Sequence, residues 1–261
     1  MRKRKRKEQG QFVPDEGYYF GLGAFETIAV ENGVPRFIKE HLERLDEAME
    51  TLGISQKVTK EQVMAWLSCH PVARGALKIS VSEKNVRMEK RENHYTPEMY
   101  EHGFCAAYSS VLRNSTSPFT YMKSLNCADL ITEKRRAARE GIDEPIFLNE
   151  RGEICEGAVS NVFFVQKSGR IITPAKTCGL LPGVVRRLLL EHKTVSEAVI
   201  RPEDVPSFKE AFITNSLMGI MPLNRLGNVV FKEREITDKI MAFFTAPVSN
   251  SAGQTRLPTF S

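Results

Sequence analysis

The sequence of 261 residues lacks several features that mark whole classes of protein. It has no apolar run near the roughly 18 residues that a membrane-spanning helix requires. Its five cysteines are scattered and never spaced as Cys-x-x-Cys, which argues against a disulfide framework and against a structural zinc site. No two of its five histidines stand one helical turn apart, so no helical metal-binding pair is predicted. These absences favour a cytoplasmic globular protein without a metal site.

The positive charge is concentrated at one end of the chain rather than spread over it. Lysines and arginines fill positions 2–7, whereas the whole chain carries a formal net charge of +5. We expect residues 1–11 to form a basic, disordered tail, the alternative being an arm that contacts nucleic acid or another acidic surface. Nucleic-acid binding is not favoured, because the remainder of the chain is close to neutral and offers no continuous basic face. The tail also lacks the apolar core of a secretory signal.

Hydrophobic periodicity predicts a mixed succession of helices and strands. Apolar residues recur at intervals of three and four over 38–52, which predicts an amphipathic helix that ends before Gly53. The same patterns predict helices over 60–69, 125–140 and 183–192, and strands over 25–30, 76–81, 104–109, 145–148, 161–165, 170–173 and 211–214.

The predicted fold class is therefore α+β, in two halves that meet near a polar, turn-rich stretch. We predict a small N-terminal domain over 12–112, an interdomain linker over 113–119 and a larger C-terminal domain over 120–246. The residues after it, 247–261, are polar and poor in core-forming side chains, so we expect a loose tail.

Lys123 is the first candidate for chemistry. It follows Tyr121 and Met122 and precedes Leu125 by two positions, so it begins a segment that we expect to be packed. Packing disfavours the charged ammonium and makes the neutral amine available as a nucleophile. Most lysines are solvated surface residues, and the local sequence of Lys123 is also compatible with that simpler interpretation.

Glu156 is the second candidate. It stands between Cys155 and Gly157 and leads into an apolar strand, where a buried carboxylate needs a partner. The simpler interpretation is an ion pair at the end of a strand. The alternative is a carboxylate that keeps a pyridine nitrogen protonated, so that the ring acts as an electron sink.

Two segments are typical of places where phosphates bind. Gly183 opens a predicted helix, and the amides of Val184 and Val185 would lie at the positive end of its dipole. Ser216 and Leu217 follow a predicted buried strand and supply a hydroxyl and an amide. A Pro-Gly helix start is also common without any ligand.

Arg44 lies beside the apolar stripe of the helix predicted over 38–52 rather than on its opposite face. It is either a surface arginine whose stem covers apolar side chains or a cation that pairs with a phosphate. The local sequence leaves both interpretations open.

Taken together and in this order, the motifs resemble the class IV aminotransferase family of enzymes that use pyridoxal 5'-phosphate (PLP), also called fold type IV. The resemblance covers most of the chain, from about residue 17 to about residue 241. The segments that carry it are the opening strand with Phe25-Glu-Thr-Ile, then His41-Leu-Glu-Arg44-Leu45, Lys123-Ser-Leu-Asn126, Glu156-Gly-x-x-Ser160-Asn161 and Gly183-Val-Val-Arg186. This ordered set is specific to the family.

The resemblance implies a two-domain α+β fold, with PLP between a small N-terminal and a larger C-terminal domain. It implies that Lys123 forms the Schiff base and then acts as general acid and base. Glu156 would hold the pyridine nitrogen. The residues expected to hold the phosphate are Arg44, Val184, Val185, Ser216 and Leu217. Members of the family are homodimers, and we expect a homodimer here.

Within the family, the segments around Lys123 and over 214–222 are most similar to those of the aminodeoxychorismate lyases. These enzymes release pyruvate from aminodeoxychorismate and leave 4-aminobenzoate, the folate precursor. Branched-chain and D-amino-acid aminotransferases share the cofactor residues and are the alternative. A cofactor-free regulatory or nucleic-acid-binding protein that keeps the fold is a third hypothesis, which only the basic tail favours.

Overall fold

The computed structural model describes residues 12–191 and 195–245, which form two compact units. Unit 1 comprises the described residues up to Asn93 together with Lys123–Asn126. Unit 2 comprises the described residues of His94–Met122 and Cys127–Ser261.

Unit 1 contains a four-stranded antiparallel sheet. Its elements in chain order are α1 (Glu16–Phe20), β1 (Gly23–Glu31), β2 (Val34–Pro35), α2 (Ile38–Thr51), α3 (Lys60–Cys69), β3 (Arg74–Ser82) and β4 (Asn85–Arg91). The strand order is β2-β1-β3-β4. The helix α2 packs against β1 and buries Leu42, Leu45 and Met49 on one side, as its amphipathic pattern predicts.

Strand β1 presents two chemically different faces, because successive side chains of a strand point in opposite directions. Ala24 and Glu26 are fully buried on one face. Phe25 and Thr27 are half-buried on the other face. This alternation decides which side chains can take part in chemistry on each side of the strand.

Unit 2 contains a nine-stranded mixed sheet. Its elements in chain order are α4 (Pro97–His102), β5 (Phe104–Tyr108), α5 (Ala128–Arg139), β6 (Glu144–Leu148), β7 (Ile154–Gly157), β8 (Asn161–Val165), β9 (Ile171–Pro174), α6 (Val184–Glu191), β10 (Val195–Ala198), β11 (Glu210–Asn215), β12 (Gly219–Leu226), β13 (Val229–Val230) and α7 (Glu235–Thr245). The strand order is β10-β9-β8-β11-β12-β5-β6-β7, with β13 paired to β12. Its core includes the stacked rings of Phe163 and Phe212, whose centroids lie 4.8 Å apart. Across the described part of the chain, no helix has the length and apolar character needed to cross a membrane.

The α+β class predicted from the sequence is confirmed, and the strongest periodicities identify the right elements. The helix predicted over 38–52 is α2, and the helix predicted over 60–69 is α3 with the same bounds. The tails predicted at 1–11 and 247–261 lie outside the described residues.

The predicted domain boundaries stay a prediction, and the two compact units divide at another place along the chain. The units divide between Asn93 and His94, ahead of the linker predicted over 113–119. The physical reason is that β5 pairs with β12 and with β6, so it belongs to the sheet of unit 2. The segment Lys123–Asn126 instead groups with unit 1.

Candidate active site

Lys123 lies in a short extended segment that adds to the edge of β1. An antiparallel bridge joins Ala24 to Ser124. The backbone N–H of Phe25 donates to the carbonyl of Lys123 at 2.9 Å. In this register Phe25 and Lys123 stand opposite each other, so their side chains project from the same face.

The glycine at position 23 allows this close approach. The N–H of Leu125 donates to the carbonyl of Gly23 at 2.7 Å. A Cβ atom at Gly23 would lie 2.6 Å from Leu125 Cδ1 and 2.7 Å from the carbonyl oxygen of Val81, which no real side chain tolerates. The absence of a side chain at Gly23 is therefore what lets the lysine segment dock on β1.

The amine of Lys123 lies over an aromatic ring. Its Nζ is 4.5 Å from the centroid of the Phe25 ring, and both side chains are half-buried. The negative face of an aromatic ring attracts an ammonium group at this distance. The arrangement holds the end of a flexible side chain beside a defined apolar surface.

Arg44 lies in a buried ionic cluster on the opposite face of β1. Its Nε and Nη2 donate to the two carboxylate oxygens of Glu26 at 2.7 and 2.8 Å. His41 Nδ1 lies 2.6 Å from Glu26 Oε2. Burial alone would raise the pKa of Glu26, but the charge of Arg44 and the hydrogen bond from His41 outweigh it and lower that pKa to about 2.

The cluster gives Arg44 a carboxylate partner that the sequence did not predict. Contact between Arg44 and a phosphate stays a prediction that rests on the family resemblance. His41 Nε2 is buried and has no hydrogen-bond partner among the described residues. No sequence signal joined these residues, because Glu26 lies on a strand while Arg44 and His41 lie on a helix.

Glu156 is buried on β7 and is held from two sides within unit 2. The N–H of Leu181 donates to Glu156 Oε2 at 2.9 Å. Arg113 Nε lies 3.1 Å from Glu156 Oε1, an ion pair rather than an aligned hydrogen bond. Arg113 falls in the stretch predicted to be a linker, and its pairing with Glu156 was not predicted, because the two residues are distant along the chain.

The segment before α6 is tied to the neighbouring strands. Asn161 Nδ2 donates to the carbonyl of Leu181 at 2.9 Å, and a Cβ atom at Gly183 would collide with Asn161 Oδ1. The helix α6 then begins at Val184 and runs for 8 residues. The first amides of a helix, here those of Val184 and Val185, have no acceptor inside the helix and suit an anion.

Ser216 and Leu217 lie in the turn between β11 and β12. The side chain of Asn215 organises this turn, since its Oδ1 accepts the N–H groups of Leu217 at 2.9 Å and Met218 at 2.8 Å. Binding of a phosphate by Ser216 and Leu217 stays a prediction. Thr214, at the end of β11, has a buried Oγ1 without a hydrogen-bond partner in the described part of the chain. No sequence motif pointed to this hydroxyl.

Comparison with known proteins identifies the family. The sequence pattern of the amino-transferase class IV family matches residues 23–226. The chain belongs to the class IV aminotransferase family. It is 27% identical to the aminodeoxychorismate lyase of Bacillus subtilis strain 168, over 90% of this chain and 89% of that protein. It is 25% identical to the D-alanine aminotransferase of Bacillus licheniformis, over 85% of each chain.

A solved structure shows the same fold. The 4-amino-4-deoxychorismate lyase from Pseudomonas aeruginosa superposes with a TM-score of 0.79 at 22% sequence identity, over 92% of this chain and 96% of that one. The predicted family and its two-part α+β fold are therefore confirmed.

Class IV enzymes use PLP, and the residues of this chain fit that cofactor by their chemistry. Lys123 offers the primary amine that an aldehyde requires. Glu156 is a buried carboxylate with Arg113 beside it, and a carboxylate is the group that can pair with a protonated ring nitrogen. The start of α6 offers amides, and the buried Thr214 Oγ1 offers a hydroxyl, to a phosphate.

Proposed function

We propose that this chain is a PLP-dependent lyase that converts aminodeoxychorismate into 4-aminobenzoate and pyruvate, for folate synthesis. The observation that carries the proposal is the placement of Lys123, whose backbone is fixed on β1 and whose amine lies over Phe25. The choice of a lyase is supported by the similarity to the lyase of Bacillus subtilis along 90% of this chain.

The proposed roles are those that the family resemblance implies for the matching residues of this chain. Lys123 binds the cofactor and is the catalytic residue, and Glu156 holds the pyridine nitrogen. The residues proposed to hold the phosphate are Arg44, Val184, Val185, Ser216 and Leu217. To these we add the hydroxyl of Thr214, because it is buried at the end of β11 without a partner in the described residues.

PLP, when bound, supplies an electron sink for the bond that breaks. The protein supplies the proton transfers. The Lys123 amine would accept the proton from the carbon that bears the amino group of the substrate. Glu156, which lies beside Arg113, would hold the proton on the ring nitrogen. Departure of pyruvate leaves the aromatic ring of 4-aminobenzoate, and its aromaticity favours this direction.

The alternative function is amino-group transfer by a branched-chain or D-amino-acid aminotransferase. It is favoured by the similarity to the D-alanine aminotransferase of Bacillus licheniformis over 85% of this chain. The same lysine would serve both reactions, because its amine would accept and return the proton of the amino acid in either one.

A paired assay distinguishes the two functions. Purified protein supplied with PLP is incubated with aminodeoxychorismate, and separately with D-alanine or L-leucine plus a keto acid. We expect 4-aminobenzoate and pyruvate in equal amounts from the first mixture, and neither product with Lys123→Ala. Amino-group exchange in the second mixture, without 4-aminobenzoate in the first, would contradict the lyase assignment and establish the alternative.

We also propose that the protein is a cytoplasmic homodimer, as the family resemblance implies. Light scattering coupled to size-exclusion chromatography tests the oligomeric state. A mass twice the 29.5 kDa of the chain is expected, and a mass of one chain at all concentrations would contradict the proposal.

A further inference from the structure

Two lysines of unit 1 lie over the same aromatic ring. Lys123 Nζ is 4.5 Å from the centroid of the Phe25 ring, and Lys78 Nζ is 5.1 Å from it. The two ammonium nitrogens are therefore no farther apart than these two distances combined. Lys78 has no part in the roles proposed above.

The strand register explains why the three side chains meet. Phe25 faces Lys123 on one side of β1 and pairs with Ser80 of β3 on the other side. Lys78 pairs with Thr27 and so lies diagonal to Phe25, on the same face of the sheet. Long side chains reach aromatic rings across such diagonals. The arrangement follows from backbone pairing and does not depend on a chance rotamer.

The ring of Phe25 and the ammonium of Lys78 shift the balance between protonated and neutral Lys123 in opposite directions. The ring face attracts a cation and therefore favours the protonated form of Lys123. The ammonium of Lys78 repels a second positive charge and therefore favours the neutral amine. Phe25, Lys78 and Lys123 are all half-buried, so water screens these effects only in part.

Other charged side chains on this face are Glu31 at the end of β1, Arg74 at the start of β3, and Arg87, Glu89 and Arg91 on β4. Arg87 pairs with Ser80, and Glu89 pairs with Lys78. Glu89 is the acid directly opposite Lys78, and its carboxylate is bound by Arg91 at 2.6 Å. Because an arginine already offsets Glu89, this carboxylate does not fully cancel the charge of Lys78.

We propose that Lys78 and Phe25 together set the fraction of Lys123 that is present as the reactive free amine. Lys78 is in this view a positioning residue that acts through Lys123, and the inference deepens the proposed function. Strand β1 carries two acids. Glu26 points to the opposite face and is bound by Arg44, and Glu31 lies at the far end of the strand, 3.3 Å from Arg36. Lys78 is therefore a charged group that shares the ring of Phe25 with Lys123.

Competitive labelling measures the ionisation of Lys123 without substrate or cofactor. The full-length protein, freed of any bound PLP with hydroxylamine and dialysed, is treated with a trace of acetic anhydride over a range of pH. Peptide mass spectrometry then gives the acetylation of each lysine. With Lys78→Met, we expect the labelling of Lys123 at neutral pH to fall about two- to threefold. With Phe25→Leu, we expect it to rise about two- to fivefold.

Matched variants separate this effect from a general disturbance. Lys78→Arg keeps the charge and Phe25→Tyr keeps the ring, so both are expected to label Lys123 as the unaltered protein does. Lys90→Met removes a positive charge from the same sheet, where the ammonium is bonded to the carbonyl of Pro71 at 2.6 Å, and should leave Lys123 unchanged. High salt should weaken the Lys78 effect more than the Phe25 effect.

If Lys78→Met and Phe25→Leu changed the labelling of Lys123 in the same direction, the inference would be overturned. An equal change of Lys123 labelling in Lys90→Met, or no change in any variant, would also overturn it. The labelling does not depend on which reaction is catalysed. A protein that fails to make 4-aminobenzoate but shows the opposed shifts would contradict the proposed lyase activity and support the role of Lys78.

Discussion

The two faces of β1 carry ionic groups of opposite character, although their residues are neighbours in sequence. On the buried face, Glu26 is bound by both Arg44 and His41, with contacts of 2.6 to 2.8 Å. On the half-buried face, two lysine ammonium groups share the ring of Phe25. A buried charge must be paired, and its pairing fixes the structure. A partly exposed site tolerates like charges, which leaves the reactivity of an amine adjustable.

The largest effect is expected on the half-buried face and concerns activity. Lys123→Ala removes the amine that moves the proton, so we expect the rate of 4-aminobenzoate formation to fall by a factor of about 10³ or more. The free energy of unfolding should change by less than about 0.5 kcal/mol, because alanine keeps the backbone pairing with Phe25. Activity assays and urea unfolding measure the two effects, and unaltered activity would contradict the assignment.

The largest effect on stability is expected on the buried face. Glu26→Gln leaves Arg44 buried without its carboxylate, which should lower the free energy of unfolding by about 3 kcal/mol, with little effect from added salt. Urea unfolding monitored by circular dichroism measures the loss. Glu89→Gln is the matched control, since it breaks an exposed ion pair worth about 0–1 kcal/mol. Equal losses of unfolding free energy in Glu26→Gln and Glu89→Gln would show that burial of the ion pair does not determine its contribution to stability.

The same cluster predicts a pH dependence. The pKa of Glu26 is lowered from 4.5 to about 2, so its stabilising contribution is fully present above pH 4.5 and is lost as the pH falls through 2. The stability difference between the unaltered protein and Glu26→Gln should therefore be constant near neutral pH and shrink on acidification below about 4.5. Urea titrations at successive pH values measure it, and a difference that grows on acidification would contradict the assignment of the charged pair.

In unit 2, we expect an intermediate loss of stability when a buried ion pair is broken. Glu156 is buried with Arg113 beside it, whereas Glu26 is bound by both Arg44 and His41. Arg113→Met should lower the free energy of unfolding by about 2 kcal/mol, because it removes the cation beside a buried carboxylate. Arg113→Lys should recover part of the loss, although it lacks the planar fork of arginine. Thermal unfolding of the two variants measures this, and unchanged midpoints would show that the ion pair contributes nothing.

The smallest effect on stability is expected from Lys78. Lys78→Met removes a half-buried charge but keeps an apolar stem, so the free energy of unfolding should change by less than about 0.5 kcal/mol. The fraction of Lys123 present as the neutral amine should nevertheless fall in Lys78→Met. A loss of more than about 2 kcal/mol would instead place Lys78 among the structural charges, with Glu26, and would remove the contrast between the two faces.

Much of the fold follows from local patterns, and the omissions have physical reasons. The amphipathic period predicts α2, and the bounds of α3 agree with the prediction. The prediction missed β4, because its segment Asn-Val-Arg-Met-Glu-Lys-Arg is polar and buries only Met88. An edge strand that is paired on one side needs few apolar residues, so hydropathy does not reveal it.

The candidate site was predictable only as an ordered set of motifs. The residues Lys123 and Glu156 follow from the family resemblance, whereas their immediate partners do not. Phe25 meets Lys123 through a register between distant segments, and Arg113 meets Glu156 across a stretch that looked like a linker. Local periodicity carries no information on such pairings, because they are set by how strands align and how loops fold back.

Borohydride reduction of the protein after incubation with PLP tests most directly whether Lys123 is the lysine that binds the cofactor. Reduction makes the attachment permanent, and peptide mass spectrometry locates it. The predicted result is a phosphopyridoxyl group on the peptide that contains Lys123, absent from Lys123→Ala. A label on Lys78 with Lys123 unmodified, or no label on either lysine, would contradict the assignment.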